Sequence, residues 1–193
     1  MTAARTLSND PRVEAARAAA DPALRAEIVD GVLLMAPAPL SRHQAAQGAL
    51  FALLRRALRF DNDRTSPPSG WVFIQVPELH LGVGPDKCNP DLCGWRASRA
   101  PSLDDSPIAI VPDWICEVLS PSTESFDRGS KMPAFARHGV ESAWLVDPEL
   151  RQLEVYRLDR GSLREVARYQ GNDRVCAPPF ESESFDLSEL WGW

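Results

Sequence analysis

Two stretches decide the fold: "NPDLCGW" at residues 89–95 and "VPDWICEVLSPST" at residues 111–123. The second predicts a buried strand, because apolar residues dominate it and a Ser-Pro pair ends it. Yet this strand carries Glu117 in its middle. An isolated ionised carboxylate in an apolar interior is costly even after its surroundings relax. The sequence therefore indicates that another group binds Glu117, or that the protein uses it.

A second carboxylate can share the space around Glu117. Side chains alternate between the two faces of a strand, so Asp91 and Glu117 can point to the same side of a sheet that contains both of their strands. If the strands are neighbours, the two acids repel each other unless a cation lies between them, and hard cations such as Mg²⁺ favour such oxygen ligands. The alternative is that Glu117 points to solvent from a half-exposed sheet face.

The remaining pattern predicts a mixed α/β domain around one sheet, with an N-terminal hairpin and a C-terminal strand extension. We assign residues 1–24 to an N-terminal extension that is partly helical or frayed, and residues 25–193 to a single domain. The expected elements are a hairpin over 26–39, a helix beginning at Ser41, strands over 71–81, 89–95 and 112–120, a helix near 124–138, a hairpin over 142–161 and a strand over 162–170.

Composition limits the classes of protein to consider. The 193 residues are 44% hydrophobic and carry a net charge of −6, with a pI of about 5.1. This charge argues against binding of nucleic acid by bulk electrostatics, but it is compatible with a site that uses a divalent cation. No apolar run reaches the roughly 18 residues of a membrane-spanning helix, and the N-terminus lacks the apolar centre of a signal peptide. We therefore expect a cytoplasmic protein without a membrane partner.

The two opening stretches also carry a family resemblance. Together with "DRGSKMPAFARHGVESAWLVDPELRQLEVYRL", which begins at Asp127, they resemble the Uma-type family of predicted bacterial restriction endonucleases, in the PD-(D/E)XK nuclease superfamily. The resemblance extends from about Glu27 to Leu158. It implies a restriction-endonuclease-like core with the order α-β-β-β-α-β and a metal-dependent phosphodiesterase site.

The resemblance assigns residues to that site. Asp91 matches the Asp of the Pro-Asp element, and Glu117 matches the acid of the (D/E)XK element. With the backbone carbonyl of Val118, they are expected to hold Mg²⁺ or Mn²⁺. The superfamily lysine should follow at position 119, which is Leu119 here. In the Uma-type branch, a lysine from the next helix looks like the replacement for this strand lysine. Lys131 is the lysine of that helix here.

Two interpretations of Lys131 stay open. The chain contains 21 basic residues, of which Lys87 and Lys131 are the two lysines. A lysine can exchange a proton when its surroundings tune it, whereas arginine stays protonated, so the choice of Lys suits a catalytic role. The other interpretation is an ion pair with Asp127, four residues earlier, on the surface of the helix.

Three more polar residues are candidates for supporting roles. His43, in the first turn of the first helix, is either a hydrogen-bonded packing residue or a catalytic one. Glu27, just before the Asp30-Gly31 turn, is either a third acid of the metal site or an ordinary strand residue. Asp113 lies about 13 Å from Glu117 along the strand, so we treat it as a strand-entry residue that could support the site indirectly.

The leading interpretation is a Mg²⁺- or Mn²⁺-dependent endonuclease that hydrolyses phosphodiester bonds, with DNA as the expected substrate. Lys131 would orient or deprotonate the attacking water, or stabilise the charge that develops. Leu119 and the acidic pI favour an alternative, an inactive nuclease-fold module that binds nucleic acid or a protein partner. A metal-dependent hydrolase of another substrate is the third interpretation. Metal titration tests the inactive module, and a panel of substrates tests the third interpretation.

The sequence also predicts a homodimer. One such site cuts one strand, so cleavage of a duplex needs two sites. The chain also ends in "LWGW", which exposes two tryptophans unless another surface covers them. Sedimentation at tens of micromolar protein is expected to give a dimer, and a monomer at that concentration would contradict the prediction.

Overall fold

The computed structural model describes residues 15–17, 19, 24–57, 70–82 and 86–192. The predicted extension over 1–24 lies mostly outside these residues. The strands are β1 (Leu24–Val29), β2 (Val32–Pro37), β3 (Trp71–Gln75), β4 (Leu79–Leu81), β5 (Asp86–Cys88), β6 (Leu92–Arg96), β7 (Trp114–Val118), β8 (Ser142–Asp147), β9 (Gln152–Asp159), β10 (Ser162–Gln170), β11 (Arg174–Val175) and β12 (Phe185–Asp186). The helices are α1 (Ser41–Ala57), α2 (Glu124–Phe126) and α3 (Met132–His138), with short 3₁₀ turns at Ala97–Arg99 and Leu187–Trp191 and a π-helical turn at Asp127–Lys131.

A six-stranded mixed sheet forms the centre of the molecule. Its strand order is β10-β9-β8-β7-β6-β3, and only the β7–β8 pair is parallel among these neighbours. The helical segment between β7 and β8 supplies the crossover that a parallel pair requires. In chain order, α1, β3, β6, β7, this helical segment and β8 give the predicted α-β-β-β-α-β core, which confirms the predicted fold class.

The prediction of a single sheet is wrong. The strand predicted over 71–81 breaks at Val76, whose φ of 48° turns the chain, so that β3 joins the main sheet and β4 joins a second one. A left-handed φ is unfavourable for a β-branched residue, and periodicity does not reveal it. The second sheet has the order β2-β1-β5-β4. It uses β5, which lies between the predicted strands over 71–81 and 89–95.

Both faces of the main sheet are covered. Apolar residues of α1, including Leu50 and Leu54, pack with Trp114 and Trp144 on one face. On the other face, Phe135 of α3 and Leu81 of the second sheet pack in the same cluster as residues of β6 and β7. Within the described residues, no helix is both long and apolar enough to cross a membrane.

The C-terminal segment completes the first of these faces. Phe180 lies edge-on to three tryptophan rings, with centroid distances of 5.1 Å to Trp71, 5.2 Å to Trp114 and 5.5 Å to Trp144. Trp191 is buried, which corrects the expectation that the tail exposes it, and Trp193 lies outside the described residues. The tail therefore supports the core of its own chain.

A π-helical turn connects α2 to α3. The amide of Met132 donates to the carbonyl of Asp127, five residues back, and Pro133, which has no N–H, follows immediately. The helical chain therefore continues through Ser130 into α3. After α3, Gly139 takes the left-handed conformation (φ 87°) of a helix C-cap.

Arg128 fastens this turn to the sheet. Its guanidinium donates two hydrogen bonds, of 2.7 and 3.0 Å, to the buried carboxylate of Glu154 on β9, and a third to Glu124 on α2. The hydroxyl of Tyr156 also donates to Glu154. Burial by itself raises the pKa of Glu154, but the bonds from Arg128 and Tyr156 outweigh it and lower that pKa. The turn that carries Lys131 is thus held by a charged, two-pronged contact.

Replacement of Arg128 by Leu should destabilise the protein by about 1–3 kcal/mol, because it leaves a buried carboxylate without its main partner. Urea unfolding would measure the change in the free energy of unfolding. Arg164→Leu is the matched control, since Arg164 pairs with Asp159 between two exposed side chains and its loss should cost under about 1 kcal/mol. Equal losses in the two variants would contradict the proposed anchoring.

Candidate active site

Asp91 and Glu117 meet at one end of the main sheet. In the antiparallel β6–β7 ladder Leu92 pairs with Cys116, so the next position places Asp91 beside Glu117. The amide of Asp91 lies 3.4 Å from Oε2 of Glu117, and the amide of Val118 donates to Oδ2 of Asp91 at 2.8 Å. Both side chains are buried. The predicted proximity of the two acids is confirmed, and the interpretation of Glu117 as a solvent-facing residue is wrong.

Lys131 is the group that balances Glu117. Its Nζ lies 2.7 Å from Oε1 of Glu117, 3.4 Å from Glu27 and 3.5 Å from Asp127. The predicted pair with Asp127 therefore exists, but it is buried rather than on a helix surface, because the Lys131 side chain is 3% exposed. The turn that fixes Lys131 comes from the crossover between β7 and β8, and it brings the ammonium to the strand that carries Glu117.

Glu27 belongs to this cluster. It lies on β1 of the second sheet, and its Oε1 accepts a hydrogen bond of 2.5 Å from the amide of Asn89, just before β6. This contact ties the second sheet to the strand that follows Asp91. Oε1 of Glu27 lies 3.4 Å from Nζ of Lys131. Of the two roles that the sequence left open for Glu27, the structure therefore favours that of a member of the acidic cluster.

His43 and Gln47, one turn apart on α1, bind the Asp91 residue. Nε2 of His43 lies 3.0 Å from Oδ1 of Asp91, and the side-chain amide of Gln47 donates to the Asp91 carbonyl at 2.7 Å. His43 is buried and its Nδ1 has no hydrogen-bond partner within the described residues. Its contact thus orients Asp91, in agreement with a hydrogen-bonded packing role.

Asp113 lies at the other end of β7. It accepts hydrogen bonds from the amide of Arg96 and the guanidinium of Arg99. These contacts close the β6–β7 connection, and the structure does not bring Asp113 together with Glu117. The suggested supporting role of Asp113 at the site is therefore replaced by a role in the fold.

The cluster has too little positive charge. Four buried carboxylates, of Glu27, Asp91, Glu117 and Asp127, face two cations, Lys131 and the partly exposed Arg25. With all four acids ionised, these described side chains leave a formal excess of two negative charges.

The pKa values reflect this shortage. Burial, reinforced by the neighbouring acids, raises the pKa of Glu117 well above its usual range despite Lys131. Burial and the neighbouring acids likewise raise the pKa of Asp127, although Lys131 and a hydrogen bond from Thr123 oppose them. Burial disfavours the charged form of Lys131 too, but Glu117, Glu27 and Asp127 outweigh it and raise its pKa. Burial opposes the ionisation of Asp91, but His43 outweighs it and lowers its pKa. The protein therefore buries more acid than its own cations stabilise.

The donor set fits a divalent metal. Mg²⁺ commonly binds through one or two carboxylates and keeps waters or substrate oxygens as its other ligands. Asp91, Glu117 and the Val118 carbonyl are such donors, and the excess of two negative charges matches the charge of the ion. No group of three His, Cys, Asp or Glu side chains in the described ranges forms a ready-made metal cage. The acids border a cavity of about 320 Å³ that can admit such additional ligands.

Sequence reasoning did not identify Arg25 as a residue of this cavity, and it did not predict that Asp127 is buried there. Arg25 precedes Glu27 by two positions on β1, so strand alternation alone places it on the same face. Asp127 gives a weaker signal, because an i, i+4 pair with Lys131 is typical of exposed helices. Only the packing of the π-helical turn against the sheet buries Asp127 and Lys131.

Comparisons with known proteins agree with this fold. The model of the Uma2 family, described as "Putative restriction endonuclease", matches residues 13–188. The crystal structure of "a putative nuclease belonging to DUF820" from Anabaena variabilis ATCC 29413 is similar, with a TM-score of 0.70, 22% sequence identity and coverage of 94% of this chain and 97% of that one. At this identity the likeness shows the fold alone. No curated protein matches the chain. The predicted resemblance is confirmed.

The charge shortage predicts a pH dependence of stability in the metal-free protein. Because the native pKa of Glu117 is raised, the native state keeps a proton that the unfolded chain releases above about pH 4.5. The free energy of unfolding should therefore fall as pH rises from this value towards the native pKa. Glu117→Gln removes this group, so its unfolding free energy should fall less over the same window.

Urea unfolding at a series of pH values in EDTA would measure this effect. Glu149→Gln is the control, because Glu149 lies on the surface in a long ion pair with Arg42. The interpretation fails if Glu117→Gln and wild type lose stability equally over that window.

Proposed function

The chain belongs to the Uma2 family, described as "Putative restriction endonuclease", and on that premise we propose that it is a divalent-metal-dependent endonuclease acting on DNA. The observation that carries the proposal is the contact of Lys131 with Glu117, at 2.7 Å, beside Asp91. Two acids and a lysine are the functional groups of the superfamily pattern, and here they are adjacent although the lysine comes from a helix.

The departure at Leu119 does not weaken this proposal. Leu119 is buried in the apolar cluster that includes Ile115 and Phe135, so it contributes to packing behind the site. Lys131 reaches Glu117 from the crossover instead. The ammonium thus occupies the neighbourhood of the acids although the lysine has a different position in the chain.

The residues have distinct chemical tasks. Asp91, Glu117 and the Val118 carbonyl would hold Mg²⁺ or Mn²⁺, which when bound supplies Lewis acidity at the scissile phosphate. The lowered pKa of Asp91 keeps this carboxylate ionised at neutral pH, and His43 orients it. Lys131 carries a proton at Nζ in the metal-free protein and would orient the attacking water by a hydrogen bond. Because the charge of a bound cation would lower the pKa of Nζ, Lys131 could then take the proton of this water, or stabilise the charge that develops on the phosphate oxygens. Glu27 and Asp127 hold the ammonium in place.

We also propose that the protein acts as a homodimer. The support is the need for two sites to cut both strands of a duplex. Trp191 is buried in its own chain, so it needs no partner subunit to cover it. The need for two sites is therefore the support for the dimer.

Lys131 variants test the proposal. Cleavage of supercoiled plasmid at saturating Mn²⁺ should fall by roughly 10²–10⁴-fold in Lys131→Leu, the range typical of a lost proton-transfer group. Lys131→Arg keeps the charge but not the ability to exchange a proton, so it should keep Mn²⁺ affinity and lose most of the rate. Lys87→Arg, at the other lysine of the chain, is the matched control and should cut like wild type.

Three further measurements define the outcome. Asp91→Ala should abolish cleavage, which excludes a contaminating nuclease. Circular dichroism should show that each variant is folded. Wild-type cleavage rates in Lys131→Leu would refute a catalytic lysine, and a wild type that neither cuts nor binds Mn²⁺ would instead support the inactive module.

A further inference from the structure

Arg25 is the partly exposed cation of the acidic cavity. It lies on β1 with its side chain 28% exposed, while the side chain of Lys131 is 3% exposed and in contact with three carboxylates. These are the two cationic side chains that line the cavity among the described residues. An anion that enters the cavity therefore meets the guanidinium of Arg25 at a lower cost of desolvation than the ammonium of Lys131.

The position of Arg25 is fixed by the second sheet. Arg25 pairs with Ala36 of β2, and Glu27, two positions on, pairs with Leu34. Strand alternation places Arg25 and Glu27 on the same face, at a spacing of about 6.6 Å by strand rise. Glu27 reaches Lys131 while Arg25 reaches Asp91, so one strand supports both halves of the site.

The contact of Arg25 with Asp91 is weak. Its Nη1 lies 3.4 Å from Oδ1 of Asp91, beyond the 2.7–2.9 Å typical of a charge-assisted hydrogen bond. Asp91 already receives closer contacts from His43 and from the amide of Val118. Loss of the Arg25 contact thus leaves Asp91 with hydrogen bonds, and the guanidinium can exchange this partner at little cost.

A phosphate is the partner that suits Arg25. Guanidinium has five N–H donors in a planar fork, which binds two phosphate oxygens at once. Among the described residues, the hydrogen bond of this side chain is the long one from Nη1 to Asp91. The acids of the cavity do not attract an anion, and a cation that lines the cavity compensates for them.

We infer that Arg25 binds a backbone phosphate of the nucleic acid in this cavity and so acts as a substrate-contacting residue. This inference rests on the proposed function, because it takes the cavity to be the substrate site. It adds a residue and a role to the site, since Arg25 would position the strand while Asp91, Glu117 and Lys131 act on the bond.

The experiment measures binding separately from cleavage. A short fluorescein-labelled DNA duplex is titrated with the full chain in Ca²⁺ or in EDTA, at several salt concentrations, by fluorescence anisotropy. Arg25→Gln should weaken binding by roughly ten- to a hundredfold and lower the slope of log K against log salt by about one, the effect of one lost phosphate contact. Arg25→Lys keeps the charge, so it should keep most of the salt slope. It should lose the part of the affinity that comes from two simultaneous hydrogen bonds to one phosphate.

Arg174→Gln is the matched control. Arg174 also forms an ion pair with a carboxylate, Asp186 at 3.0 Å, but it does not line the cavity. Its substitution should leave binding and the salt slope unchanged. If Arg25→Gln fails to fold, Arg25→Lys alone still decides the matter through its affinity.

The outcomes separate the inference from the function on which it rests. Wild-type affinity and slope in Arg25→Gln, with normal cleavage, would overturn the inference and leave the nuclease intact. Loss of affinity and slope in a protein whose wild type binds DNA but does not cut it would support the phosphate contact and refute the endonuclease. A wild type that binds neither duplex nor single-stranded DNA, in Ca²⁺ or in EDTA, would overturn both.

Discussion

Burial of the Lys131 ammonium against Glu117 is the interaction on which the site depends. A buried charge is tolerated only when it is paired and hydrogen-bonded, and these two groups lie 2.7 Å apart with both side chains nearly inaccessible. Removal of either would leave the other uncompensated. The pair therefore requires that the β7 strand and the following helical segment keep their relative position.

Several parts of the fold meet that requirement. The Arg128–Glu154 contact fastens the π-helical turn to β9, and the contact of Glu27 with the Asn89 amide fastens the second sheet near β6. The residues that surround the pair thus come from both sheets and from the crossover. Rigid elements of this kind suit a catalytic site, because small displacements of catalytic groups reduce rates strongly.

The same arrangement supports the proposed metal site, although the described residues form no complete cage of side chains. Four acids against two cations leave a local excess of two negative charges, which favours a divalent ion, while Arg25 at the cavity supplies positive charge for an anionic substrate. The overall acidity of the protein is therefore compatible with DNA as a substrate, since local charge and not net charge decides at the site.

The sequence by itself determined most of the helices and strands of the core and the shared location of Asp91 and Glu117, because strand alternation and helical periodicity are local patterns. The resemblance of its motifs to the Uma-type family added the α-β-β-β-α-β order and Lys131 as a candidate. Tertiary structure decided the rest. It placed Asp127 in the interior, and it brought the second sheet, with Arg25 and Glu27, to the cavity beside Asp91 and Glu117. It also divided the strands into separate sheets at Val76. Such features depend on a backbone turn and on contacts between residues distant in the chain, and no local pattern encodes them.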